Sequence, residues 1–336
     1  MGRGGDGASH GAVLGQPLQH PAAWTAPDVL ASDPSTWQYQ LTPQDQQEIV
    51  EAAQRAVASG RPVPELTKGD FPLPSLGAKL EKIRDSVVFG RGFFLLRGFP
   101  IDRLSREEVV AAWLGVGLYW GKPRSQNAKG HLVGHVKDLP WHVDDADLVG
   151  LLCLKRAKEG GLSRWASSIS IYNRLLEARP DLVEELAQTY HFDKKGEVGP
   201  GEKPYLELPV LSVYKGHLTF FYNDKYIKEA QRFPEVPRLT AKQLEALQAV
   251  TDLADSPELH LDWDLQPGDV QLIYNWTQLH FRTAYVDHPG FENRRHLLRL
   301  WLTSTVNTHA INPERFPTEA YLGIYSDKLT APLDAE

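Results

Sequence analysis

Apolar positions along this chain recur with two periods. Between Thr42 and Gly60, Ile49, Val50, Ala53 and Val57 fall on one helical face. Thr42 stands at the N-cap, Pro43 at the first helical position and Asp45 in the first turn, so the spacing predicts a helix ending near Ser59-Gly60. A second helix is predicted over Leu80 to Val88, stopped by Gly90-Arg91-Gly92. Ser105 to Glu108 has the Ser-X-X-Glu form of a capping box and opens a third through Val109, Ala112 and Leu114. Further helices are expected from Ile169 to Ala178, from Asp181, and from the capping box Thr240 to Gln243 towards Leu253.

Strand-like runs separate them: Phe93 to Leu96, Leu148 to Leu154, Leu208 to Tyr214, Leu218 to Tyr222, Leu259 to Trp263, Val270 to Tyr274 and His296 to Thr305. Lys215-Gly216 is a hairpin signal, and Glu159-Gly160-Gly161 and Pro267-Gly268-Asp269 are turns. The second half is mainly short antiparallel-type strands with one long helical insertion. That makes the chain α+β and suits a β-sandwich or jelly roll. No internal repeat is present.

Composition narrows the picture. With 336 residues, 42% of them hydrophobic, the chain has ample material for a core. Residues 1–35 are rich in Gly, Ala, Pro and His without an apolar period, and predict a flexible, loosely draped arm ahead of a single domain at 36–336. His10 and His20 are then solvated bystanders. The charge of -7, from 43 acidic and 36 basic residues, gives no electrostatic reason to expect nucleic acid or an anionic membrane as partner. Cys153 is the only cysteine, so an intramolecular disulfide and a Cys-rich zinc site are excluded, and a metal site must use His and carboxylate. No run reaches the ~18 to 20 apolar residues of a membrane span, and the N-terminus lacks a secretory apolar segment, so a cytoplasmic location is expected. Oligomeric state stays open, a homo-oligomer included.

Candidate chemistry begins at His142-Val143-Asp144, which runs into the apolar Leu148 to Leu154. If that run is a strand that reaches back through this unit, His142 and Asp144 point the same way and hold one ion from one side. His280, beyond the Pro-Gly-Asp turn and a buried strand, is the candidate third ligand. Two His and one Asp leave positions open for water, cosubstrate and oxygen, the facial arrangement of non-haem Fe(II) oxygenases. His131 and His135, beside Gly130 and Gly134, read as packed or hydrogen-bonded side chains. In Arg295-His296-Leu297-Leu298-Arg299 a strand would put both arginines on one face, where burying them requires anionic partners. Asp262 or Asp264 is one such partner. A dicarboxylate cosubstrate accounts for both arginines better, since a guanidinium fork matches a carboxylate.

These motifs resemble the taurine dioxygenase-like (TauD/TfdA) family of Fe(II)- and 2-oxoglutarate-dependent dioxygenases, over nearly the whole chain from about Trp37 to Asn312. The resemblance is carried by His142-Val143-Asp144, Asp147, Gly150 to Leu154, Glu159 to Ser163, Pro267-Gly268-Asp269, His280 and Arg294 to Arg299. It implies a double-stranded β-helix (jelly-roll) core with flanking helices, and His142, Asp144 and His280 on Fe(II). It implies Arg295 on the distal carboxylate of 2-oxoglutarate, Ser163 as a further cosubstrate contact, and Arg299 on cosubstrate or substrate. The reaction it implies consumes O2, releases succinate and CO2, and oxidises a small organic substrate. An amino acid or other small acid is expected, with hydroxylation the default and desaturation or cyclisation the variants. Tyr222 and Asn223 are candidates for the substrate pocket, and Asp147 for a hydrogen bond that supports a ligand or caps the loop. Relatives have a longer covering loop after the segment matching Gly134 to Asp138; here only Leu139-Pro140-Trp141 precedes His142. A non-catalytic metabolite-binding protein on the same fold is the alternative. A zinc hydrolase lacks a general base and leaves Arg295 and Arg299 unexplained.

Overall fold

Three helix starts show how local sequence sets the elements. Thr42, Ser105 and Thr240 each accept a hydrogen bond from the N–H three residues on, and Asp45, Glu108 and Gln243 in turn accept one from the N–H of the cap residue. Each such box stabilises its helix, Pro43–Ala58, Arg106–Gly117 or Ala241–Ala254, by about 1 kcal/mol. In the computed structural model, residues 9–127, 129–135, 140–199, 201–306, 309–316 and 329–332 are described.

Two sheets carry the architecture. The larger has seven strands, with Gln38–Gln40, Phe93–Arg97, Val270–Tyr274, Leu148–Lys155, His296–Thr303 and Lys122–Arg124 in order, and Val133–His135 also on His296–Thr303. Among the described strands of this sheet, only Gln38–Gln40 and Phe93–Arg97 pair in parallel. The smaller sheet is His260–Trp263, Ser163–Ser167 and Gln278–Arg282, all antiparallel. The strand runs are continuously apolar because both faces of the large sheet are covered. Its even positions, Phe94, Leu96, Leu152, Leu272, Leu298 and Leu300, join the helix-side core. Its odd positions, Phe93, Leu95, Val149, Leu151, Ile273, Leu297 and Trp301, meet Trp165 and Leu261 of the small sheet. Phe93 and Trp165 lie 5.0 Å apart across this layer, where each large side chain contributes roughly 1.5–3 kcal/mol.

The helical insertion is residues 168–259, between the directly paired strands Ser163–Ser167 and His260–Trp263. Its described residues include the helices Ser168–Ala178, Pro180–Leu186, Asp224–Ala230 and Ala241–Ala254 and two hairpins. Most predicted helices and strands recur within a few residues, but Leu208 to Tyr214 is split at Val210 between Tyr205–Pro209, paired with Thr189–Asp193, and Leu211–Tyr214, paired with His217–Phe220. Leu76–Ser86 starts earlier than expected and runs into a π-type turn at Val87–Arg91. Strands at Ser163–Ser167 and Gln278–Arg282 were not foreseen, because their apolar positions alternate with Ser, Arg, Gln and His. No described helix is long and apolar enough to cross a membrane.

From residue 9 onward, the stretch expected to be a loose arm packs on the domain. Ala22 and Trp24 are buried, the Trp24 ring meets Phe93 edge-on at 5.3 Å, and a short helix, Ala26–Ala31, is capped by Thr25. Asn173 exchanges hydrogen bonds with the Leu18 backbone at 2.8 and 2.9 Å. The contacts come from distant residues, so no local period announces them. His10 is buried and His20 half-buried, which corrects their reading as solvated bystanders.

Candidate active site

His142 and Asp144 lie ahead of the strand Leu148–Lys155, joined to the fold by their backbones. His142 exchanges N–H to C=O bonds of 3.0 Å with His280, which lies on the strand Gln278–Arg282, and this bridge sets the two imidazoles side by side with centroids 4.0 Å apart. The expectation that the strand itself carries the pair is therefore replaced by a bridged loop. Asn275 holds that loop: its side-chain oxygen accepts the Asp144 N–H at 3.3 Å, and its nitrogen donates to the carbonyls of Asp144 and Ala146 at 3.1 and 2.6 Å. Asp147 caps it by accepting from Trp276 Nε1 at 3.0 Å and from the Ser304 N–H at 2.8 Å.

The three side chains are buried, and their donor atoms all lie within 4.8 Å of one another. His142 Nε2 is 3.5 Å from Asp144 Oδ1, and His280 Nε2 is 3.6 Å from Asp144 Oδ2. His142 Nδ1 lies 2.7 Å from the Pro140 carbonyl, which can only accept, so Nδ1 is the donor there and Nε2 is the nitrogen left on the side of Asp144. That buried Nε2 has no hydrogen-bond partner among the described residues. Burial disfavours ionised Asp144, but Arg299, with help from the two histidines, outweighs it and holds the carboxyl well below the usual carboxylate range. Burial and repulsion from His142 bring His280 down to about 4, so it is neutral near pH 7. An anionic oxygen, a neutral His280 and a second imidazole whose buried Nε2 has no partner among the described residues fit a divalent iron.

Strand register builds the walls. Gln271, Leu151 and Arg299 pair across three strands of the large sheet, while Ser163 pairs with Arg282 across the small one. His280 and Arg282, two apart, share a face. All of these line one cavity together with His142, Asp144 and Arg295. Arg299 donates from Nη1 to both Asp144 oxygens at 3.1 Å and from Nε to Gln126 Oε1 at 2.8 Å, and Trp301 Nε1 donates to Asp144 Oδ2 at 2.9 Å. Arg295 donates to the Gly161 carbonyl at 3.3 Å, and its guanidinium forms no ion pair with a described carboxylate. Gly161 has φ +74°, and a Cβ there would stand 3.0 Å from Arg295 Nε, so glycine both makes the turn and makes room for the guanidinium. Burial and the neighbouring Arg282 lower Arg295 to about 10, which leaves it charged at neutral pH.

The structure thus gathers His142, Asp144, His280, Ser163, Arg295 and Arg299 around one space. Asp262 and Asp264 are bonded instead to Arg164 and Arg156, so they do not explain Arg295 and Arg299. Tyr222 and Asn223 do not line the cavity. The Tyr222 hydroxyl bonds to the Leu247 carbonyl and Thr251 at 2.9 and 2.8 Å, and Asn223 caps the helix Asp224–Ala230. Arg282, Gln126 and Asn275 were missed. Arg282 had a signal, since it stands two residues from His280 in the same strand. Of the short loop before His142, residues 136–139 lie outside the described residues.

Residues 56–301 match the family model described as taurine catabolism dioxygenase TauD, TfdA family. The chain is 32% identical over 333 residues to the FR-33289 synthase of Streptomyces rubellomurinus (strain ATCC 31215), across 91% of this chain and 94% of that one. It is 33% identical over 266 residues to the taurine hydroxylase-like protein SAT17 of Stachybotrys chartarum (strain CBS 109288 / IBT 7711), across 70% and 67% of the two. Among solved structures, asparagine oxygenase in complex with Fe(II), 2S,3S-3-hydroxyasparagine and succinate has a TM-score of 0.60 at 19% identity, covering 80% of this chain and 93% of that one. The non-heme iron oxygenase OrfP in complex with Fe and alpha-ketoglutaric acid has a TM-score of 0.60 at 16% identity, covering 86% and 100%. At these identities the structural likeness is one of fold.

Proposed function

The chain belongs to the TauD, TfdA family and is an Fe(II)- and 2-oxoglutarate-dependent dioxygenase, and we propose that it hydroxylates a small anionic organic substrate, an amino acid or other small acid. One observation carries the reading: a buried His142, Asp144 and His280 group shares a cavity with Arg295, whose guanidinium has no described carboxylate partner. We take the two sheets as the halves of a double-stranded β-helix with the cavity between them.

Iron and 2-oxoglutarate supply the oxidising chemistry when bound, consuming O2 and releasing succinate and CO2. His142 and His280 donate imidazole lone pairs, and Asp144 supplies the anionic oxygen. A carboxylate has about four lone-pair sites, so Asp144 serves Arg299, Trp301 and a metal together. Arg299 is then a positioning residue that keeps Asp144 ionised and aimed. Arg295 receives the distal carboxylate of 2-oxoglutarate, and Ser163 adds a hydroxyl. Arg282 adds a second buried guanidinium beside Arg295, and the cationic wall they form favours an acidic substrate. Asparagine and arginine derivatives occupy the structural neighbours, as 3-hydroxyasparagine in one and (3S)-hydroxy-L-Arg in another, which supports the amino-acid class.

The test is succinate release under O2 with Fe(II), 2-oxoglutarate and a panel of amino acids, sulfonates and other small acids. Release coupled to oxidation of an acidic substrate is expected. Cosubstrate binding with no coupled turnover on any member would favour the non-catalytic alternative.

A further inference from the structure

Away from the cavity, a second group of histidines is assembled from three distant parts of the chain. Lys215 and Gly216 both have positive φ, 48° and 75°, which turns the hairpin so that His217 opens the strand His217–Phe220. The Ala12 N–H donates to the Gly216 carbonyl at 2.9 Å, docking the N-terminal segment on that turn and bringing His10 to His217. His309 comes from beyond the last long strand. Ring centroids are 4.8 Å apart for His10 and His217, 4.9 Å for His217 and His309, and 5.3 Å for His10 and His309.

All three side chains are buried, at 8%, 2% and 4% exposure, and one nitrogen of each lies within 4.8 Å of the others. His10 Nδ1 and His309 Nδ1 are buried with no hydrogen-bond partner among the described residues. His309 is held as a metal-binding imidazole is held: Nε2 is bonded to Thr219 Oγ1 at 3.0 Å, Trp276 stacks on the ring at 4.4 Å and 3°, and Nδ1 is left without a partner among the described residues. Leaving buried polar atoms unmet is costly, and here two sit in one place.

We propose that His10, His217 and His309 form a second metal site, which takes Zn2+ and fastens the N-terminal segment to the domain. Tetrahedral zinc with Zn–N of roughly 2.0 Å spaces its donors about 3.3 Å apart, so the group closes by about 1.5 Å at most. Neutral imidazole is the ligating form, and burial with mutual repulsion holds His10 down to about 3 and lowers His309. An all-imidazole, redox-inert site suits zinc, whereas the His and Asp set of the cavity suits iron. His20, with its ring 4.6 Å from that of His10, is the nearest further imidazole for the fourth position.

The experiment uses the full chain without a polyhistidine tag, with His142→Ala and Asp144→Ala disabling the first group, so a failed iron assignment leaves the result unaffected. Zn2+ is titrated calorimetrically and retained metal is counted after gel filtration. Co2+ is added separately to read the intense visible bands of a tetrahedral ion. One equivalent is expected, with those bands, and with slower proteolysis of the N-terminal segment. His10→Ala or His309→Ala should lower the affinity at least tenfold with an unchanged far-ultraviolet spectrum. In a chain with the first group intact, His10→Ala should lower the bound Zn2+ from two equivalents to one. No equivalent bound, or one that persists in both His10→Ala and His309→Ala, would overturn the site and leave a packed group of neutral imidazoles.

Discussion

The His142, Asp144 and His280 group and the His10, His217 and His309 group are alike in burial and donor spacing, and differ in their surroundings. The first includes a carboxylate, faces a cavity walled by both sheets, and has Arg282, Arg295 and Arg299 around it. The second is imidazole only, closed by Trp276 and Thr219. Charge around the donors separates a site that exchanges anions from one that holds an ion in place. The two are also joined by chain. The run from His217 to Asn223 starts at one and bridges to His142 at the other, while Asn275 holds the loop of the first and Trp276 serves both, its ring stacked on His309 and its Nε1 donating to Asp147.

The largest effect that sharpens the contrast comes from Asp144→Ala. It removes the carboxylate and leaves Arg299 without its ion-pair partner in a buried setting, so iron binding and turnover should be lost and stability should fall by about 3 kcal/mol. Metal analysis and urea unfolding check this, and zinc at the second group should be unchanged. Arg295→Ala comes next. Losing the charged hydrogen bonds to the cosubstrate should cost about 2–3 kcal/mol, a roughly 30- to 160-fold rise in the 2-oxoglutarate requirement. Unchanged affinity would move that role to Arg282 or Arg299. Asn275→Ala, which touches no proposed ligand atom of Asp144 but frees its backbone, should weaken Fe(II) roughly 10- to 100-fold in equilibrium titrations. The smallest effect is that of Tyr222→Phe. It loses two helix-directed hydrogen bonds, so about 1 kcal/mol of stability should go while the KM for substrate stays fixed. A changed KM would return Tyr222 to the pocket.

What could be read in advance follows from what is local. Capping boxes and apolar runs announce helices and strands through neighbours in sequence, and His142, Asp144, His280 and Arg295 are recognisable because a family motif fixes their order. The strand around His280 was hidden by polar alternation, since His280 and Arg282 face the cavity rather than a dry core. Tyr222 and Asn223, expected as pocket candidates, turn their polar atoms to helices instead of the cavity, and a strand end near the site does not tell which way a hydroxyl turns. The packing of residues 9–35 and the gathering of His10, His217 and His309 rest on tertiary contacts with no sequence period, so only the fold reveals them.

In the proposed enzyme, His142, Asp144 and His280 hold iron beside an Arg295-bound 2-oxoglutarate. Anaerobic titration of the wild-type chain with Fe(II) and 2-oxoglutarate tests it most directly, by the weak visible charge-transfer band of chelated cosubstrate. A saturable band at one equivalent of iron is expected, absent in His142→Ala and shifted to higher cosubstrate concentration in Arg295→Ala. A wild-type chain without the band, or a His142→Ala chain that keeps it unaltered, would place the iron elsewhere or remove it from the protein.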